Sequence, residues 1–241
     1  KELESGTPPS EIAFLAFTRK AANEARERAA TRFGLNPRQD LPYFRTLHSL
    51  AFRLTGLNTD QLMQTEHYRE LEKRTGFELT SANGLDEEPT STIRRESEIL
   101  RLITLARLKR TTLRTEYHGT RINSSWLEVD YLARALEKYK KTNGLYDYTD
   151  MLELFVEKGP QVCPHFELCL LDEAQDLSAI QWEIAHILDG KSTRMYCSGD
   201  DDQAIYNFAG ADIDQFINLP GGAEILEQSY RVPATVHGLA S

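Results

Sequence analysis

Ile12-Ala-Phe-Leu-Ala-Phe17 has no polar side chain, and Phe166-Glu-Leu-Cys-Leu-Leu171 has only one. A strand with one wet face alternates apolar and polar residues; a run without alternation belongs to a strand covered on both sides. Helical texture separates the two runs. Thr18 is placed to cap a helix over Arg19–Arg32, stopped by Gly34 and Pro37. Phe44–Thr46 is a second short strand, leading into a helix at His48–Leu54. After Leu171 come an amphipathic helix, Ser178–Leu188, closed by Gly190, and strands at Arg194–Ser198 and Glu224–Glu227. Strands alternating with helices predict an α/β fold built on a parallel sheet.

Between Thr55 and Asn143 the texture changes. Charged helices are expected at Asp60–Thr75, Ile93–Arg110 and Ser125–Lys141, with a polar stretch at Ser81–Ser91 and no apolar strand-like run. The expected organisation is therefore a core split between residues 1–55 and 144–241, with a mostly helical subdomain inserted at 56–143.

Composition excludes several classes. At 40% hydrophobic and 27% charged residues the chain is too apolar for a disordered protein. It lacks the ~18-residue apolar stretch of a membrane helix, so no membrane partner is expected. Three cysteines, none in a CxxC pair, suit a reducing, cytoplasmic setting. Cys163, His165 and Cys169 are better read as packing residues than as a metal cluster, because they run into an apolar strand. A net charge of −9 argues against a nonspecific nucleic-acid binder. Two local tracks are basic all the same: residues 1–54 hold nine Lys/Arg against six Asp/Glu, and residues 92–121 eight against three. The chain opens on Lys1 rather than Met and is expected to be a segment of a longer protein.

In parallel sheets ligands collect at the carboxyl ends of the strands. The segments in that position are Phe17-Thr-Arg-Lys-Ala-Ala22, Thr46-Leu-His-Ser49, Asp172-Glu-Ala-Gln-Asp176, the long run Gly199–Ala211 and Gln228-Ser-Tyr-Arg231. Paired carboxylates after a buried strand suit holding Mg²⁺ on a phosphate and orienting a water. Asp172 would bear on the metal and Glu173 would act as general base; capping of the following helix is the plainer alternative. Gln175 and Asp176 add groups a cap does not need, and Gln203 is placed to reach the same phosphate. Arg231 supplies a planar cation for developing charge, and Tyr230 a flat face for a base.

These segments resemble the motifs of superfamily 1 helicases of the UvrD/Rep kind, in the first RecA-like motor domain. Asp172-Glu-Ala-Gln-Asp176 matches that family's Asp-Glu-x-Gln-Asp box, Gly199–Ala211 its Gly-Asp-x-x-Gln-x-Ile-Tyr-x-Phe-x-Gly-Ala segment, and Ser229-Tyr-Arg231 its Asn-Tyr-Arg. Phe17–Ala22 is similar to its Phe-Thr-x-Lys-Ala-Ala, Thr46–Ser49 to its Thr-Phe-His-Ser, and Gly144–Leu152 to the Asp-Phe-x-Asp-Leu-Leu ahead of the acidic box. The resemblance implies a RecA-like P-loop NTPase core and an ATP-dependent DNA helicase, with ATP and Mg²⁺ as cofactors. By position, Asp172 and Glu173 would handle Mg²⁺ and the attacking water, Gln203 would sense the γ-phosphate, Arg231 would contact it, and Tyr230 would stack on adenine. Phe17, Thr18, Arg19, Thr46, His48, Tyr206 and Phe208 would line a track for single-stranded DNA, whose junctions with duplex are the implied substrate. Phe17 as a last core residue, His48 as a helix-start hydrogen bond, and Arg19 and Lys20 as solvated helix ends are the structural alternatives.

The sequence departs from the family pattern in three ways. No Gly-rich phosphate loop precedes the first strand. Ala185–Ser192 fits a relaxed form of that loop, but it lies at the end of a helix and runs into a strand, the reverse of a working loop's context. Ala209 stands where the family has Arg, and the stretch is expected to stop short of the family's second motor domain. The stretch alone is therefore expected not to unwind DNA. Two other readings stand beside it: a loop-less relative that binds DNA or protein without ATPase activity, and a metal-dependent nuclease built on Asp172, Glu173, Asp176 and Asp200–Asp202.

Overall fold

A computed structural model describes residues 2–79, 97–204 and 210–224. Its sheet has strands β1 (Ile12–Ala16), β2 (Phe44–Thr46), β3 (Leu168–Leu171) and β4 (Met195–Cys197), all parallel, in the order β2-β1-β3-β4. Side chains alternate in destination rather than polarity. Ala13, Leu15, Cys169 and Leu171 enter one core, while Ile12, Phe14, Leu168 and Leu170 enter the other. β1 and β3 are therefore apolar throughout, as two buried faces require.

Helix α1 (Arg19–Phe33) covers the second face. Its buried residues are Ala22 and Ala30, small enough to bring it close to the sheet. Thr18 accepts from the Ala21 N–H at 3.2 Å, and Gly34 ends the helix with φ 66°, a left-handed conformation glycine adopts without penalty. Phe14 and Phe44 stack across β1 and β2 on this face, centroids 5.7 Å apart. Helix α2 (Leu47–Thr55) packs on the opposite face, against the first helix that follows the central segment.

That central segment is helical: α3 (Thr65–Thr75), α4 (Glu98–Leu108), α5 (Leu113–Gly119) and α6 (Trp126–Asn143). They enclose their own apolar cluster, including Tyr68, Leu71, Leu102, Val129, Leu132 and Leu136. Helix α3 is shorter than its sequence suggests. Thr59–Gln61 forms a separate 3₁₀ turn and Leu62 bridges Tyr146 in parallel, so the backbone is extended before Gln64 restarts the helix. The helix expected at Ile93–Arg110 starts at Glu98, with Ser97 at its N-cap, and ends at Leu108; residues 93–96 of that expectation lie outside the described residues. Helix α5, capped by Thr112, breaks what sequence texture presents as a connection.

Helix α7 (Tyr148–Val162) returns the chain to the sheet, started by a reciprocal cap between Asp147 and Asp150. β3 then pairs with β1 on the side away from β2, so the strand order reverses between β1 and β3. Helix α8 (Ala179–Asp189) ends at Gly190 in a right-handed conformation, its N–H on the His186 carbonyl, and Ser192 folds back onto Leu188. Ala185–Ser192 is thus a helix end running toward a strand, not a phosphate loop. Cys163 and Cys169 are buried in the core, as their apolar setting predicts, but His165 is not a packing residue: it is exposed, with its ring on the Thr193 hydroxyl. Helix α9 (Ile213–Ile217) follows; the Glu224–Glu227 strand expectation falls, beyond Glu224, outside the described residues.

Candidate nucleotide and nucleic-acid site

The strand register makes the carboxyl edge level: Ala16 lies opposite Thr46, Leu15 opposite Leu171, and Leu171 opposite Cys197. Strands are spaced ~4.8 Å apart, so Thr46, Phe17–Thr18, Asp172 and Ser198 occupy a front about 15 Å wide. Its centre is the reversal point between β1 and β3, where open α/β sheets bind ligands.

Asp172 sits at that centre. Its N–H donates to the Leu15 carbonyl at 2.8 Å, continuing the β1–β3 ladder, and its Oδ1 accepts from the Ser198 hydroxyl at 2.8 Å. Glu173 turns the chain at φ 55°, one of two described non-glycine residues with positive φ. Such a residue costs roughly 1–2 kcal/mol, and the turn is pinned by the Ala174 N–H on the Ser198 carbonyl at 2.9 Å. Neither carboxylate caps α8, because Ser178 does so in a reciprocal pair with Gln181. The capping alternative therefore falls, and both carboxylates are half-buried at the sheet edge.

Gln175 is buried and spans from this turn to the β4 loop. Its Nε2 donates to Glu173 Oε2 at 2.8 Å, and its Oε1 accepts from the Asp200 N–H at 3.2 Å. Gln203, exposed on the same loop, donates its side-chain amide to Asp200. Asp176 points inward, and its Oδ1 has no hydrogen-bond partner among the described residues. Burial, then the neighbouring Glu173 charge, pushes its pKa up to about 6.

The residues proposed for a nucleic-acid track divide. Thr18 and Thr46 are helix caps, each accepting a backbone N–H at 3.2 Å, which leaves the hydroxyl proton to donate. Phe17 lies just past the end of β1 and is half-buried, so it is not a fully enclosed core residue. His48 meets Tyr148 edge-on at 6.4 Å, and burial lowers its pKa to about 4. At neutral pH it offers an uncharged ring, not a cation for phosphate. Arg19 and Lys20 are exposed in the first turn of α1. The helix dipole disfavours cations there by about 0.3–1 kcal/mol each, so helix stability does not explain them. Tyr206, Phe208, Tyr230 and Arg231 lie outside the described residues.

Sequence reasoning did not assign Ser198, Gly199 or the bridging role of Gln175. A glycine directly after a strand is the one local signal that two backbones approach closely there.

Hard carboxylate oxygens, one held by a hydroxyl and half open to solvent, fit Mg²⁺, which keeps several waters and takes one or two protein carboxylates beside phosphate oxygens. A phosphate-cradling loop is not among the described residues, so they meet only part of what ATP needs.

A parallel sheet with this reversal, an acidic turn at its centre and a helical segment after the second strand defines the core of a RecA-like motor domain. The chain belongs to the family of UvrD/REP helicase N-terminal domains, whose profile matches residues 2–221. It is similar to the putative ATP-dependent DNA helicase YjcD of Bacillus subtilis, 28% identical over 243 residues covering 94% of this chain and 31% of that protein. DNA helicase II of Escherichia coli is 30% identical over 257 residues, covering 97% and 34% respectively. ATP-dependent DNA helicase PcrA of Leuconostoc citreum is 27% identical over 244 residues, 92% and 31%. The chain thus spans about a third of the length of these relatives. Among the described residues no helix is long and apolar enough to cross a membrane.

Proposed function

We propose that this chain is the larger part of the nucleotide-hydrolysing lobe of an ATP-dependent DNA helicase or translocase. The observation that carries the reading is the convergence of Asp172, Glu173 and the Gln203 loop on the sheet's reversal point, level with Phe17, Thr18 and Thr46. Residues 1–55 and 144–241 form the motor lobe, and 56–143 an inserted helical subdomain. Asp172 would hold Mg²⁺, which would neutralise phosphate charge, and Glu173 orients a water and takes its proton. Gln203 and Arg231 contact the terminal phosphate, and Tyr230 stacks on the base. When bound, MgATP supplies the transferable phosphoryl group and the charge neutralisation. Phe17, Thr18, Arg19, Thr46, His48, Tyr206 and Phe208 line the path of a single strand. Aromatic faces hold bases without regard to sequence, at about 1–3 kcal/mol each. Movement along DNA and opening of junctions require a second motor lobe to close against this one. Three free cysteines suit a cytoplasmic setting.

The test is single-strand-stimulated ATP hydrolysis by the full-length protein. Glu173→Gln is expected to abolish turnover while leaving nucleotide binding intact. Wild-type turnover by that variant removes Glu173 as the base. Absence of any ATP hydrolysis in the full-length wild type leaves the non-catalytic binding module as the better account.

A further inference from the structure

We infer that Gln175 is a positioning residue that couples the placement of Glu173 to the loop carrying Gln203. The inference rests on the roles proposed above for those two residues.

The side chain is 1% exposed, so an unpaired amide would be expensive there. Both ends are used, and on different elements. Its Nε2 donates to the Glu173 carboxylate at 2.8 Å, and its Oε1 takes the Asp200 N–H at 3.2 Å. An amide meets both demands from one position, whereas a carboxylate there would offer Glu173 no donor and an apolar side chain neither group. Beyond Asp200 the connection continues, since its carboxylate accepts from the Gln203 amide and from the Asp202 N–H. One run of hydrogen bonds therefore leads from the water-orienting carboxylate to the residue facing the terminal phosphate.

Gly199 is the other half of the device. A Cβ at that position would collide with Gln175 Oε1, stand 2.9 Å from Phe216 Cζ and 3.2 Å from the Gln175 backbone nitrogen. Its backbone is not left-handed, so close approach, not φ, is what requires glycine. The approach is what lets the β4 loop reach the amide. Displacing that loop removes the Asp200 partner of Gln175 and with it the fixed position of the Glu173 carboxylate. Sensor and base then occupy their working positions together or not at all.

The experiment uses the full-length protein at saturating single-stranded DNA and compares Gln175→Met, Gly199→Ala and the double variant, with Glu173→Gln as control. Met keeps the length and packing of Gln175 and deletes both hydrogen bonds. Each single variant is expected to lose 10- to 100-fold in kcat, the scale of a misplacement near 1 Å, with KM for ATP within about twofold of wild type. The double variant is expected to be no slower than the worse single one, because both break the same connection. Losses that multiply, a raised KM with unchanged kcat, or wild-type kcat in Gln175→Met would each overturn the assignment. Unfolding of both single variants would overturn it too, making the bridge purely structural. If Glu173→Gln abolishes turnover and Gln175→Met does not, only the coupling fails; if Glu173→Gln is fully active, the catalytic reading fails and takes the coupling with it.

Discussion

Replacing Arg107 by Met should loosen the attachment of the central helices to the core. Arg107 projects from α4 onto three carboxylates of the α7 region. It lies 2.9 Å from Asp147 Oδ2 and 2.8 Å from Glu153 Oε2, with a further bond to Asp150. Burial works against its charge, but the Glu153 hydrogen bond and the three carboxylates outweigh that and hold its pKa above the usual value. Lys140, on α6, adds bonds of 2.6 Å to Asp147 and Asp150. Two cations thus face three carboxylates, a net of −1, and Arg107→Met leaves −2. Stranding buried charge in this way costs about 3–5 kcal/mol. Glu153, the most exposed of the three, can turn to water, which places the expectation near the lower end, about 3 kcal/mol. Amide hydrogen exchange on the full-length protein reads it directly: amides of α4 and the start of α7 should exchange roughly a hundredfold faster, at 1.36 kcal/mol per tenfold. Adding Asp150→Asn returns the net charge to −1 and keeps an oxygen for the Asp147 N–H, bonded now at 2.7 Å. Protection should then recover in part. Unchanged exchange in Arg107→Met, or a second loss on adding Asp150→Asn, would show that the ions do not hold these helices.

His48 has a folded pKa of about 4 against an ordinary value near 6.5. Its stabilising effect is complete above pH 6.5 and is lost as pH falls toward 4. Wild type should lose about 2 kcal/mol between pH 8 and 5 that His48→Gln does not, measured by thermal melts; identical pH slopes would mean the ring is already solvated. Thr18→Ala should cost about 1 kcal/mol through the lost cap, and Thr18→Ser should restore it. If Thr18→Ser restores stability yet leaves single-strand affinity reduced, the methyl group, not the hydroxyl, touches DNA.

Much of the core was legible because local rules and tertiary demands coincide there. Two-sided burial forces β1 and β3 to be apolar at every position, and caps such as Thr18 and Thr46 act within one turn of chain. The acidic turn at 172–173 was legible for the same reason, lying where a parallel strand must end. Other features depend on partners distant in sequence. Leu62 is extended because Tyr146 is beside it, which shortens α3 from a run that reads as helix. His48 is neutral because α7 covers it. The catalytic look of Asp172-Glu173 belongs to the chain alone, but that Ser198 holds the Asp172 carboxylate and that Gln175 receives the Asp200 N–H is decided by which strands neighbour each other. Hydrogen bonds across 25 or more residues leave no periodicity in a sequence, only isolated marks such as the glycine at 199.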